Sequence, residues 1–199
     1  GYGIQLWRAA MQRLQGHTIG LDGLIEQQAN YARSGFRLAY RNIRYEGTTA
    51  ESVGEQRTTR VDAGHLAQVE SLDRQLFPAR RTEFLEAWLR YPGGSARALF
   101  DGDTMAALGV IRPCRTGYKI GPLYAANDSM ADLLVDELTA DVPRQRSFYL
   151  DAPEANPSTV ALAERRGMRE VFATARMYNH SAPDIDVRSV YGVTTFELG

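Results

Sequence analysis

The chain repeats itself, and that repeat restricts its fold more than any other feature. Residues 18–36 (Thr-Ile-Gly-Leu-Asp-Gly-Leu-Ile-Glu-Gln-Gln-Ala-Asn-Tyr-Ala-Arg-Ser-Gly-Phe) read as a short apolar strand at 19–21, a turn at Asp22-Gly23 and a short helix stopped by Gly35. A second strand follows at 36–45. The same order returns as a strand at 148–153, a helix at 157–166, a stop at Gly167 and a strand at 169–178. At a shift of 132 residues, Arg33 meets Arg165, Gly35 meets Gly167, Arg37 meets Arg169 and Arg44 meets Arg176. Self-similarity at one offset means that a single supersecondary unit is built twice. Tyr31 meets Ala163, so only the first copy carries a phenol at the end of its helix.

The chain has 199 residues, room for one large domain or for one domain plus a fragment. A net charge of −1 gives no electrostatic case for nucleic acid or an acidic membrane. No apolar run approaches the roughly 20 residues that span a bilayer. The single cysteine, Cys114, excludes an internal disulfide and a CxxC metal site, and a reducing cytoplasm is the expected compartment. No signal-peptide pattern is read; the chain begins at Gly1 without Met, and a natural start upstream is expected.

Gly1-Tyr-Gly3 leads into an amphipathic helix whose apolar face is Ile4, Trp7, Met11 and Leu14, ended by Gly16. Glycines before a helix let backbone N–H groups approach a phosphate at the positive end of the helix; the alternative is a flexible terminus. Small polar residues at 46–56 read as a linker. A short strand at 58–61 follows, then a helix capped by Asp62 and running through Phe77, and a helix at 82–90. Strands at 96–100 and 105–111 form a hairpin, and a strand at 118–125 carries an irregularity at Gly121-Pro122. Asn127-Asp128-Ser129 caps a helix bearing Met130, Leu133, Leu134 and Leu138, and residues 189–198 read as a last strand. The resulting order from residue 58, β α α β β β α β α β β, is a mixed α/β layer.

Among single residues, His17, His65 and His180 are too scattered for a metal site. Cys114 lies between Arg112 and Arg115, which favours the thiolate, although a lone thiol in a strand-to-turn region is more often inert. The Arg144/Arg146 and Arg165/Arg166 pairs read as solvated faces. Asp22 and Asp151 recur at the end of the first strand of each copy, which favours a turn or helix-capping role. Tyr31 reads either as a packing residue or as a phenol able to donate a proton.

These residues resemble the GNAT superfamily of N-acetyltransferases. The order from residue 58 is similar to that family's whole topology, and residues 1–46 are similar to its second half. Gly1-Tyr-Gly3 resembles the end of the loop that holds the coenzyme A pyrophosphate. Tyr31-Ala-Arg-Ser-Gly-Phe36 matches a Tyr-x-x-x-Gly-Phe pattern whose tyrosine is commonly the general acid. Residues 18–23, Gln27-Gln-Ala-Asn-Tyr31 and residues 191–198 (Tyr-Gly-Val-Thr-Thr-Phe-Glu-Leu) look like a bacterial tandem subfamily of YitH-like proteins. The resemblance implies an α/β GNAT fold with the C-terminal half of a first module at 1–46, a linker at 47–57 and a second, degenerate module at 58–199.

It also implies a transferase that uses acetyl-CoA as cosubstrate, without a metal, and an amine acceptor that is a small molecule or a peptide. Gly1, Tyr2, Gly3 and Ile4 are the implied cofactor contacts and Tyr31 the implied acid. The second copy lacks the tyrosine and puts Asn127-Asp128 where glycines belong, so it is expected to bind coenzyme A poorly. The chain starts inside the phosphate loop, so the strands preceding it are expected upstream. The alternative is a non-catalytic acyl-CoA sensor or interaction protein built from degenerate modules.

Overall fold

The computed structural model describes residues 1–49 and 56–198. Nine strands form one sheet in the order β1-β8-β2-β7-β6-β5-β4-β3, with β9 paired to β6. The elements are α1 (Tyr2–Arg13), β1 (Gly20–Leu24), α2 (Gln28–Ala32), β2 (Arg37–Thr48), β3 (Thr59–Arg60), α3 (Leu66–Leu76) and α4 (Thr82–Leu89). There follow β4 (Ser95–Asp101), β5 (Thr104–Pro113), β6 (Tyr118–Ala125), α5 (Asp128–Ala140), β7 (Ser147–Pro153), α6 (Pro157–Arg165), β8 (Arg169–Tyr178) and β9 (Val190–Gly192). From β3 onward this is the expected order.

Local chemistry accounts for most boundaries. The Asn127 side chain accepts from the Met130 N–H and starts α5, while Asn156 and Pro157 start α6. Asp62 caps the turn before α3 with His65 reaching back, a capping box. Gly35 and Gly167 end the two repeat helices at φ +88° and +62°, a conformation that L side chains resist. The irregularity at Gly121-Pro122 is a register shift between Gly109/Leu123 and Ile111/Ile120.

Three element boundaries differ from expectation. Asp22-Gly23 is not a turn: β1 runs straight through it to Leu24, because each of its residues pairs with β8. Strand β2 runs further than expected, since Gly47 and Thr48 still pair with Phe148 and Ser147; residues 50–55, within the expected linker, lie outside the described residues. The last strand is only Val190–Gly192.

The helices lie on both faces. Alternate residues of a strand share a face, and Ala173 packs with the α5–α6 core while Ala175 and Met177 pack with Trp7, Met11 and Tyr31. So α1, α2, α5 and α6 cover one face. Helices α3 and α4 cover the other over β4–β6 through Val69, Leu76 and Leu85. Fully buried Leu134, Val135 and Leu138 of α5 each contribute about 1.5–3 kcal/mol on leaving water. Of the apolar face read for α1, Trp7 and Met11 are packed, but Ile4 and Leu14 are exposed.

The two repeat copies exchange strands. Strand β8 of the second copy lies between β1 and β2 of the first, and β2 lies between β7 and β8 of the second. The β2–β8 ladder is symmetric about one pair: Asn42 faces Thr174, and these are themselves 132 residues apart. Arg37–Tyr178 is matched by Glu46–Arg169, and Tyr40–Arg176 by Arg44–Phe172, each partner displaced by that offset. The ladder skips Ala39 on β2 and Val171 on β8, two residues again related by it.

One buried network ties β4 to α5. Arg97, fully buried, makes two bonds of 2.7 Å to Asp141 and one of 3.2 Å to Glu137. Burial pushes both carboxyls up, but hydrogen bonds outweigh it. Thr58 and the Arg57 and Thr58 amides hold Glu137 below the ordinary carboxylate range, and Arg97 and Ser95 hold Asp141 there. A carboxyl depressed in the folded state stabilises above its unfolded pKa and loses that contribution as pH falls through the folded value. Unfolding free energy in urea is therefore expected to be flat above pH about 5 and to fall steadily below about 4. In Arg97→Met the fall should be shallower and start from a lower plateau.

Candidate active site

Tyr31 sits on α2, half buried, with its ring lying on the backbone of Gly23 in β1. A Cβ at residue 23 would come within 2.3 Å of the Tyr31 ring, so glycine is required there by close approach. The Trp7 ring of α1 stands 5.8 Å from Tyr31 and 5.7 Å from Phe36. Trp7 is one turn below Gly3, so it holds the first turn of α1 and the Tyr31 phenol on one side of the sheet. Among the described residues the Tyr31 hydroxyl has no hydrogen-bond partner, and it is not among the buried unpaired polar atoms. It is open to solvent rather than sunk in the apolar cluster.

Gly1, Tyr2, Gly3 and Ile4 form the exposed start of α1, with Tyr2 86% exposed. Gly1 is the N-cap, and no side chain among the described residues caps this helix. A Cβ added at Gly1 or Gly3 would meet nothing within 4 Å among the described residues. Among the described residues β1 pairs only with β8 and forms the sheet edge beside Tyr31.

Asp22 and Asp151 correct the expectation of a turn or cap. Asp22 faces Arg176 across β1–β8, and Asp151 faces Arg44 across β7–β2. Asp22 takes a bond of 2.7 Å from Arg176, 2.6 Å from Asn42 and 3.0 Å from Thr174. Asp151 takes bonds of 2.6 and 2.9 Å from Arg44 and an ion pair from Lys119. Both carboxylates are fully buried, and each joins one repeat copy to the other. With donors on every side, neither is a free base.

The corresponding cleft of the second copy is filled. Strands β6 and β7 pair in parallel only from Tyr118–Phe148 to Ile120–Leu150, and β9 pairs with β6 beyond that point. The Val193 N–H donates to the Asp151 carbonyl, and Asn156 donates to the Arg188 and Val190 carbonyls. Thr159 donates to the Tyr191 carbonyl, and the Tyr191 hydroxyl donates to Asp128 in the first turn of α5. Burial and that bond push Tyr191 up to about 12, so it stays a donor at neutral pH. At Gly121 a Cβ would lie 2.4 Å from the Thr194 carbonyl oxygen, which shows how tightly the segment fits.

Residues 191–198 were visible as a motif, but its mixed alternation reads as a strand, and nothing local shows that it enters a gap between two others.

A cavity of about 630 Å³ opens on the face opposite Tyr31, bounded by Leu21 and Asp22 of β1, Phe77 and Pro78 after α3, Arg176, and Phe196. The remaining sequence candidates do not converge. His65 serves the Asp62 cap, and Arg165 and Arg166 bind Asp132 and Asp136 of α5. The Cys114 thiol faces the Thr116 carbonyl in the β5–β6 hairpin. No group of three or more His, Cys, Asp or Glu that could hold a metal occurs among the described residues. None of the described helices is long and apolar enough to cross a membrane.

Comparisons with known proteins agree with this architecture. A family model described as an acetyltransferase (GNAT) domain matches residues 69–192. The holothin acyltransferase of Pseudoalteromonas sp. (strain SANK 73390) is 28% identical over 200 residues, covering 100% of this chain and 68% of that protein. The structure of a candidate acetyltransferase from Pyrococcus horikoshii superposes with a TM-score of 0.82 at 22% identity, over 99% of this chain and 66% of that one. A GCN5-related N-acetyltransferase from Sphaerobacter thermophilus gives 0.59 at 13% identity, over 93% and 71%. The chain thus spans about two thirds of the length of the first two, 68% and 66%.

Proposed function

The chain belongs to the GNAT acetyltransferase family, and on that premise we propose that it carries the catalytic half of a tandem enzyme, residues 1–46, joined through 47–57 to a second module, 58–199, that does no chemistry. The reaction is direct transfer of an acetyl group from acetyl-CoA to an amine. The observation that carries this reading is the contrast between the two copies. In the first, the Tyr31 hydroxyl has no partner among the described residues and its ring meets Trp7, one turn along α1 from Gly3. In the second, Ala163 stands in its place, and the first turn of α5 is capped by Asn127, engaged by Tyr191 and shut off by residues 190–194.

In this reading the backbone N–H groups at Gly1 to Ile4 hold the diphosphate of acetyl-CoA, which when bound supplies the thioester. The rest falls to the chain. The amine nitrogen bonds to the acetyl carbon as the carbon–sulfur bond breaks; the Tyr31 hydroxyl gives its proton to sulfur, and the amine releases one to solvent. The cavity of about 630 Å³ is within the size range of small-molecule sites. Together with the acceptor named for the Pseudoalteromonas relative, this favours a small-molecule amine over a protein.

The test is release of free thiol from acetyl-CoA, with small aromatic and aliphatic amines compared against a lysine peptide. Acceptor-dependent release with small amines is the expected result. Stabilisation by acetyl-CoA with no release to any amine would support the non-catalytic sensor instead.

A further inference from the structure

The polar face of the sheet holds a second cavity, of about 440 Å³, on the far side of the Asn42–Thr174 pair from the first. Its walls include Arg44 of β2, Arg112 of β5, Arg115 in the β5–β6 hairpin, Lys119 of β6, Phe172 of β8 and Glu197. Four cations therefore face one lining carboxylate. Asp151 behind them must serve both Arg44 and Lys119.

Two of the cations are poorly matched. The Arg112 guanidinium lies 4.7 Å over the Trp88 ring, and its Nε is buried with no hydrogen-bond partner among the described residues. Its Nη1 has only a long bond of 3.4 Å to the Pro113 carbonyl. No side-chain hydrogen bond or ion pair engages exposed Arg115 among the described residues. A buried N–H without an acceptor beside unpaired positive charge suits an oxyanion, and a guanidinium fork is the donor geometry such a group prefers.

We infer that this cavity binds a small molecule through a carboxylate or phosphate group held by Arg112, Arg115 and Lys119. Burial lowers the Lys119 pKa and outweighs the opposing pull of Asp151.

The experiment is thermal denaturation of the chain with inorganic phosphate or succinate, at ionic strength held constant with sodium chloride. A rise of about 2–5 °C that saturates with either anion is expected. Phosphate alone or succinate alone identifies the preferred group, and both acting identifies the shared oxyanion chemistry. Arg115 is exposed, so Arg115→Gln should keep the unliganded melting temperature and lose most of the rise; Arg112→Gln should lose it as well. No rise in the parent chain overturns the inference. So does a rise that survives in Arg115→Gln, which would place the anion elsewhere, such as the start of α1.

Discussion

Tyr31→Phe is expected to lower kcat by about 100- to 1000-fold while the KM for acetyl-CoA stays within about twofold. The substitution is unusually clean here. The Tyr31 ring fills the space over Gly23 and touches Trp7, and phenylalanine keeps both contacts. The hydroxyl has no partner among the described residues, so its removal leaves no buried group unsatisfied and the melting temperature should not move. What disappears is the proton for the departing thiolate. A loss in kcat and kcat/KM together, with unchanged acetyl-CoA affinity by titration, is the pattern of an interaction made only in the transition state. An unchanged kcat would remove Tyr31 from the mechanism and leave it as the packing residue that its ring already is.

Asp151→Ala should be the most damaging single change to stability, costing about 3–5 kcal/mol by urea denaturation. The carboxylate is fully buried and holds Arg44 through two bonds and Lys119 through an ion pair. Its removal leaves two cations across β7, β2 and β6 with Glu197 as the remaining nearby carboxylate. Against total stabilities of about 5–15 kcal/mol, that loss is a large fraction of the whole. Asp22→Ala is expected to cost a comparable amount, since Arg176, Asn42 and Thr174 all lose their acceptor. A cost under about 1 kcal/mol at both positions would mean that these pairs behave as ordinary surface ion pairs and do not join the two copies.

Much of the architecture could be read from residues near one another in the chain. Caps at Asp62 and Asn127, stops at Gly35 and Gly167, and alternation in the strands are decisions made within a few residues, and they are present as expected. The boundary errors have one cause. Asp22-Gly23 has the composition of a turn, yet Gly23 is there to admit the Tyr31 ring and Asp22 to meet Arg176, which stands 154 residues away. The sequence carried the repeated arginines at 44 and 176 and the repeated aspartates at 22 and 151. It did not carry which aspartate each arginine takes.

By itself, then, the sequence determined the repeat, the identity and order of its strands and helices, and the presence of one tyrosine where the second copy has alanine. Only the tertiary structure decided that β2 and β8 would trade places, that Asp22 and Asp151 would each bind the other copy's arginine, and that residues 190–194 would enter the second cleft. The reason is physical. Caps and alternation act over a few residues, whereas a strand's choice of neighbour is settled by the pairing and burial of groups that meet only when the sheet closes.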